Sequence, residues 1–143
     1  MQKILFICTG NYYRSRFAEE YFNHLAKVNG LNWRAFSKGL SNNMPSPNNP
    51  GPISTHTIAA LQERKIIGEE LNRFPLPITK EDFEVYDKII ALSEQEHRPM
   101  LKDRYITHLD KIGFFEVGDL PVEEPKAAMD KLALLVEALV KKL

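Results

Sequence analysis

The chain has 143 residues, enough for one domain with a sizeable apolar core, and its 19 basic and 19 acidic side chains cancel. Such a balance gives no net field that would favour nucleic acid or an anionic membrane, so we expect partners to be selected locally. No apolar run approaches the ~18 residues of a membrane-spanning helix, and no signal-peptide pattern is visible, so we expect no membrane insertion. The single cysteine excludes an internal disulfide and is typical of a reducing compartment, which predicts a soluble, cytoplasmic protein.

The first third of the chain predicts two strands, a helix and a loop. Residues 4–7 (Ile-Leu-Phe-Ile) form a continuous apolar run that is typical of a strand buried on both faces. Over residues 17–28 the apolar positions recur every three to four residues, which predicts an amphipathic helix that ends at Asn29-Gly30. A short strand over residues 33–36 follows. The segment 39–52 then holds four prolines and four asparagines, which predicts a long surface loop suited to lining a substrate cleft.

The rest of the chain continues the alternation of helices and strands. The predicted elements are a helix from Ser54 or Thr55 to about residue 65, a short helix opened by residues 79–82, a strand over 87–92, a helix over 94–101, a strand over 113–117 and a final helix from Pro125. The inward stripe of the final helix is predicted at Ala128, Leu132, Leu135, Leu139 and Leu143. This alternation predicts an α/β fold, a single domain over residues 1–143 with a doubly wound, four-stranded parallel sheet flanked by helices. Such sheets bind ligands at the carboxyl ends of their strands, where Cys8 lies.

The stretch CTGNYYRS, which begins at Cys8, connects the first predicted strand with the first helix. A helix start exposes unpaired backbone N–H groups and a partial positive charge, so an anion would be held there. Gly10 permits close backbone approach, Asn11 tolerates a left-handed backbone, and Arg14 carries a fork of donors suited to two phosphate oxygens. The same surroundings stabilise a thiolate at Cys8, towards which Ser15 can turn its hydroxyl. A nucleophilic sulfur among phosphate donors predicts attack on phosphorus and a cysteinyl-phosphate intermediate.

The same stretch resembles the C-x5-R-S signature loop of the low-molecular-weight protein tyrosine phosphatases, including the internal Gly-Asn pair. The apolar run before it and the helix after it extend the resemblance, and residues 33–37, 79–83 and 87–90 are similar to later segments of the family, so that nearly the whole chain is covered. The resemblance implies a hydrolase without metal or other cofactor that acts on phosphotyrosine proteins or small aryl phosphates. It implies Cys8 as the nucleophile. It also implies a phosphate-binding loop made by Thr9, Gly10, Asn11, Tyr12, Tyr13, Arg14 and Ser15.

A phosphatase of this kind needs a general acid, and the resemblance implies an aspartate late in the chain, commonly followed by proline and an aromatic residue. Asp119 has the expected place between a predicted strand and the last helix, but a leucine follows it. In a second register, Val122 takes the position of the acid and leaves Glu123 or Glu124 as the nearest substitute. We predict that Asp119 is the acid. The second register would instead describe a phosphate-binding, catalytically weak relative.

Tyr12 and Tyr13 depart from the family pattern, in which an apolar residue and a second cysteine often occupy these positions. Without that cysteine, oxidised Cys8 has no partner thiol within the chain. The same absence counts against the common arsenate reductases of this fold, although a reductase that takes electrons from an external thiol stays an alternative. The ring of Tyr12 either forms part of the wall of the substrate cleft or has only an ordinary packed or solvent-exposed position.

The sequence predicts no metal site, because its histidines show no ligand spacing. We expect a surface or helix-end position for each of them: His24, His56, His97 and His108. The physiological substrate and the oligomeric state are left open.

Overall fold

The computed structural model describes residues 1–44 and 46–143, so that Pro45 of the predicted loop lies outside the described residues. The elements are β1 (Gln2–Cys8), α1 (Arg14–Val28), β2 (Trp33–Gly39), α2 (Thr55–Glu63), α3 (Asp82–Val85), β3 (Lys88–Ala91), α4 (Glu94–Tyr105), a 3-10 helix (Ile106–Lys111), β4 (Ile112–Phe114) and α5 (Pro125–Lys141). The predicted alternation is confirmed. The last strand is shorter than predicted and begins one residue earlier, and α4 extends beyond residue 101.

The four strands form one parallel sheet in the order β2-β1-β3-β4. β1 pairs along its whole length with β2 and over residues 4–7 with β3. This pairing on both edges explains the continuous apolar run, because a central parallel strand is covered on both faces. The predicted doubly wound sheet is therefore confirmed, and its strand order reverses between β1 and β3, where such sheets bind ligands.

Helices cover the two faces of the sheet and form a core on each. Because successive side chains of a strand point to opposite faces, the residues of β1 alternate between the cores. Ile4, Phe6 and Cys8 belong to the core that includes α1, α2 and α5, whereas Leu5 and Ile7 belong to the core that includes α3 and α4. Within the described part of the chain, no helix has the length and apolar character needed to cross a membrane.

The buried face of α5 follows the predicted stripe only in its first half. Its buried residues are Ala128, Met129, Leu132, Ala133, Val136 and Val140. Leu135, Leu139 and Leu143 are only partly buried against the core. From residue 135 onward the predicted stripe and the observed buried face differ by one position. Residues three apart and residues four apart are both neighbours on a helix surface, so the sequence pattern allows either spacing to continue the apolar face.

Replacing Leu132 with alanine should lower the free energy of unfolding by about 2–5 kcal/mol, because this fully buried side chain would leave a cavity. Leu134→Ala is the matched control on the same helix, and since Leu134 is 67% exposed we expect a change within about 0.5 kcal/mol. Urea unfolding followed by circular dichroism measures both values. Equal losses in the two variants would contradict the observed orientation of α5.

Candidate active site

The loop between β1 and α1 is held by the side chain of Asn11, which is fully buried. Asn11 has a φ of 50°, a left-handed conformation that asparagine tolerates better than most residues. Its Nδ2 donates to the hydroxyl oxygens of Ser15 and Ser37, both at 2.9 Å, and its Oδ1 accepts from the backbone N–H of Leu76 at 2.9 Å. Three separate segments of the chain therefore fix the shape of the loop.

The thiol of Cys8 is buried at the end of β1, with 2% of the residue exposed. Its Sγ lies 3.0 Å from Ser15 Oγ. Because Ser15 Oγ already accepts a hydrogen bond from Asn11, its own proton can be donated to a thiolate at Cys8. The structure thus places Ser15 against the sulfur, as the sequence predicts.

The guanidinium of Arg14 lies beside the thiol and is almost completely buried. Its Nη1 donates to Glu96 Oε1 at 3.1 Å and to the carbonyl oxygen of Val117 at 3.0 Å, and its Nη2 donates to Glu96 Oε2 at 2.8 Å. Burial acts to lower the pKa of Arg14, but the charge at Cys8 and the contact with Glu96 outweigh burial and raise it. The guanidinium therefore stays charged.

Glu96, in the first turn of α4, is a site residue that the sequence analysis did not predict. Its Oε2 accepts hydrogen bonds from Arg14 and from the Thr9 hydroxyl and lies 3.0 Å from His97 Nε2. Burial acts to raise the pKa of Glu96, but the hydrogen bonds with His97, Arg14 and Thr9 outweigh it and hold the pKa well below its usual range. A carboxylate that is ionised at neutral pH thus lies directly behind Arg14.

His97 lies at a helix end, as expected, but it is completely buried and belongs to the site. Its Nδ1 accepts from the backbone N–H of Ser93 at 3.1 Å, so the ring proton is on Nε2, which faces Glu96 and the Thr9 hydroxyl. The sequence pattern that could have located Glu96 and His97 at the site is Ser93-x-x-Glu96. It marks a helix start directly after β3, at the same sheet edge as Cys8.

Among the three predicted candidates for the general acid, only Asp119 lines the pocket that contains Cys8 and Arg14. Its Oδ2 lies 3.4 Å from Arg14 Nη2. Glu123 instead accepts hydrogen bonds from the backbone N–H of Gly118 at 3.1 Å and from Lys131 at 3.2 Å. Val122, the alternative position for the acid, is 81% exposed and also lies outside this pocket.

The pocket over the thiol is small, about 50 Å³. Its lining residues are Cys8, Gly10, Tyr12, Tyr13, Arg14, Asn49 and Asp119. Four of these residues also line a wider cleft of about 500 Å³ that includes residues 48–50 and the start of α2. The predicted loop therefore does contribute a wall of the cleft, and Asn49 is a further lining residue that the sequence analysis did not single out.

The two tyrosines of the loop have different surroundings. Tyr12 is half-buried, and its hydroxyl donates to the carbonyl oxygen of Pro50 at 2.6 Å, which holds its ring in the cleft wall. Tyr13 is buried, and within the described part of the chain its hydroxyl has no hydrogen-bond partner. Burial, with a smaller contribution from Asp119, raises the pKa of Tyr13 to about 12. The hydroxyl of Tyr13 therefore stays neutral at physiological pH.

The chain is similar to phosphatases over nearly its whole length. The family model described as low molecular weight phosphotyrosine protein phosphatase matches residues 3–142. A protein-arginine-phosphatase of Bacillus subtilis is 35% identical over 109 residues, which cover 76% of this chain and 67% of that protein. The crystal structure of a low molecular weight protein tyrosine phosphatase from T. tengcongensis is 28% identical and has a TM-score of 0.81, with 100% of both chains covered. A YwlE mutant from Bacillus subtilis is 29% identical with a TM-score of 0.80, over 99% of this chain and 98% of that one. The chain belongs to the low molecular weight phosphotyrosine protein phosphatase family.

Proposed function

We propose that the protein hydrolyses phosphorylated side chains through a cysteinyl-phosphate intermediate. In this proposal Cys8 is the nucleophile, Arg14 and the backbone amides of residues 9–15 hold the phosphoryl oxygens, and Asp119 is the general acid. One observation carries the proposal: Cys8, Arg14 and Asp119 line a single pocket of about 50 Å³.

Both chemical steps use the same groups. In the first step the thiolate of Cys8 attacks phosphorus, the sulfur–phosphorus bond forms, and the bond to the leaving oxygen breaks while Asp119 gives that oxygen its proton. In the second step water attacks phosphorus, Asp119 takes a proton from the water, and the sulfur–phosphorus bond breaks. The hydroxyl of Ser15, 3.0 Å from the sulfur, stabilises the thiolate that starts the first step and leaves in the second.

We propose phosphotyrosine as the substrate side chain. The ring of Tyr12 is fixed in the cleft wall by its hydrogen bond with Pro50, so a substrate ring has an aromatic surface to pack on. Asp119 lies at the junction of the pocket and the wider cleft, where a phenolate leaving group would receive its proton. Small aryl phosphates would use the same contacts.

Phosphoarginine is a second candidate substrate. The similarity to a protein-arginine-phosphatase of Bacillus subtilis supports it. A guanidinium group is planar and also stacks on an aromatic face, so the ring of Tyr12 could hold it as it would hold a phenol ring. Asp119, as a carboxylate, could accept hydrogen bonds from its N–H groups.

Two peptides of identical sequence, one with phosphotyrosine and one with phosphoarginine, distinguish the candidates. We expect kcat/KM for the phosphotyrosine peptide to be at least about tenfold higher, since specificity is a ratio of kcat/KM values. Release of inorganic phosphate measures both rates, and the Cys8→Ser variant serves as the control for spontaneous hydrolysis of the P–N bond. The inverse ratio would favour phosphoarginine. Slow turnover of both peptides would favour the catalytically weak relative.

The single thiol also bears on the cellular compartment in which the protein acts. A chain with one cysteine forms no internal disulfide, which supports a role in a reducing compartment such as the cytoplasm. We also propose that residues 1–143 act as one domain. An arsenate reductase with this chain would need an external thiol as its electron source. Arsenate-dependent consumption of glutathione would favour that alternative, and its absence would favour phosphatase chemistry.

A further inference from the structure

We propose that Glu96 is a positioning residue that orients the guanidinium of Arg14 for phosphoryl transfer, with Thr9 and His97 holding the Glu96 carboxylate in place. The inference rests on the proposed function, because it assigns a role within the same reaction. Glu96 acts through Arg14 and touches neither the substrate nor the sulfur.

Some N–H groups of the Arg14 guanidinium are hydrogen-bonded to the protein, and the others face away from these partners. A guanidinium carries five N–H groups. Both N–H groups of Nη1 and one of Nη2 are taken by Glu96 and by the carbonyl oxygen of Val117, at 2.8 to 3.1 Å. The Nε–H and the second N–H of Nη2 are parallel, and among residues 1–44 and 46–143 neither makes a hydrogen bond; the nearest charged group to Nη2 besides Glu96 is the Asp119 carboxylate, at 3.4 Å. Two parallel donors match two oxygens of a phosphoryl group.

The carboxylate of Glu96 is itself fixed. Its Oε2 is approached by three donors: Arg14 Nη2 at 2.8 Å, His97 Nε2 at 3.0 Å and the Thr9 hydroxyl. The proton of His97 is directed to this side because its Nδ1 accepts from the backbone. Any rotation of the carboxylate would break several of these bonds at once, so Arg14 has a rigid support.

The geometry predicts an effect on kcat more than on KM. Glu96 brings a negative charge close to the phosphate site, so it does not strengthen the binding of an anionic substrate in the ground state. Its benefit is a guanidinium that already points correctly when negative charge develops on the transferring phosphoryl group, which is a transition-state effect.

Glu96→Gln is the first test, because it removes the charge and one acceptor while it keeps the size of the side chain. We expect kcat for an aryl phosphate to fall at least about tenfold, with KM within about threefold of the wild-type value. Glu94→Gln is the matched control: it lies in the same turn of α4, and its carboxylate pairs with Arg98 at 2.8 Å on the exposed surface. We expect this control to keep kcat within about twofold. An unchanged kcat in folded Glu96→Gln would overturn the inference.

A double-mutant cycle with Arg14→Lys separates positioning from general damage. Lysine has no planar fork to orient, so Glu96→Gln should lower kcat by less than about twofold in that background. A loss equal to that in the wild-type background would overturn the inference. Thermal unfolding shows whether each variant is folded at the assay temperature.

If the Glu96→Gln variant does not fold, a substitution at Thr9 tests the positioning role of Glu96 instead. Thr9→Val removes one donor to Glu96, and we expect a loss of about threefold or more in kcat that disappears in the Arg14→Lys background. No loss, or a loss that persists with lysine, would overturn the inference. Absence of phosphatase activity in the wild-type protein would overturn the proposed function itself, and is thereby distinguished from failure of the role of Glu96.

Discussion

Cys8→Ser should abolish turnover of an aryl phosphate, with a loss on the order of 10⁴–10⁶-fold, while phosphate binding persists. A serine hydroxyl is a weak nucleophile without an adjacent base, and no histidine lies against the sulfur in the described structure. The loop amides and the guanidinium of Arg14 are untouched by the substitution, so we expect the Kd of inorganic phosphate to stay within about threefold. Phenol release measures the first quantity, and isothermal titration calorimetry measures the second.

The two readouts separate the possible outcomes of this experiment. The Cys8→Ser variant is purified on fresh resin so that it carries no wild-type protein. Residual turnover in this preparation would show that another group attacks phosphorus and would contradict the role of Cys8. Joint loss of turnover and phosphate binding would indicate a collapsed loop, because the sulfur contacts Ser15, whose hydroxyl oxygen also accepts the hydrogen bond from Asn11 that helps to hold the loop.

Asp119→Asn should lower kcat by about 10²–10⁴-fold, the usual contribution of a positioned general acid. The loss should be smaller for aryl phosphates whose phenols are more acidic, because their leaving oxygens need less protonation. A series of substituted aryl phosphates, assayed with the wild-type protein and the variant, gives this dependence directly.

Glu123→Gln is the matched control for Asp119→Asn. Glu123 accepts hydrogen bonds from Gly118 and Lys131 and lies outside the pocket that contains Cys8, so we expect kcat to stay within about threefold. A large loss with Glu123→Gln, together with a small one for Asp119→Asn, would favour the second register of the loop and contradict the role of Asp119.

Features encoded by neighbouring residues were predicted from the sequence. The apolar run of residues 4–7 and the following CTGNYYRS stretch contain their own strand, turn and helix signals, so β1, α1 and the place of Cys8 followed from local pattern. The stripe of α5 was less well predicted, because spacings of three and four residues are both compatible with an apolar helix face. Val136 is fully buried where Leu135 was expected.

Contacts between distant segments were not predicted. The pairing of Glu96 with Arg14 depends on β3 lying next to β1, and on the direction in which the first turn of α4 points its side chains. Neither property can be read from residues 94–97 alone, in which a glutamate near a helix start has an ordinary explanation as a partner of the helix dipole. Asn49 was missed for a similar reason, since its loop has no periodic pattern that would assign a direction to any one side chain.

The hydrogen bond between Arg14 and Val117 links positions 103 residues apart and has a consequence for the order in which the protein is made. Synthesis proceeds from the N-terminus, so the thiol and the guanidinium leave the ribosome long before Val117 and Asp119 do. A nascent chain that ends before residue 117 contains the nucleophile but lacks both a backbone support for Arg14 and the candidate acid. The complete set of proposed catalytic groups is present only once residue 119 has been synthesised.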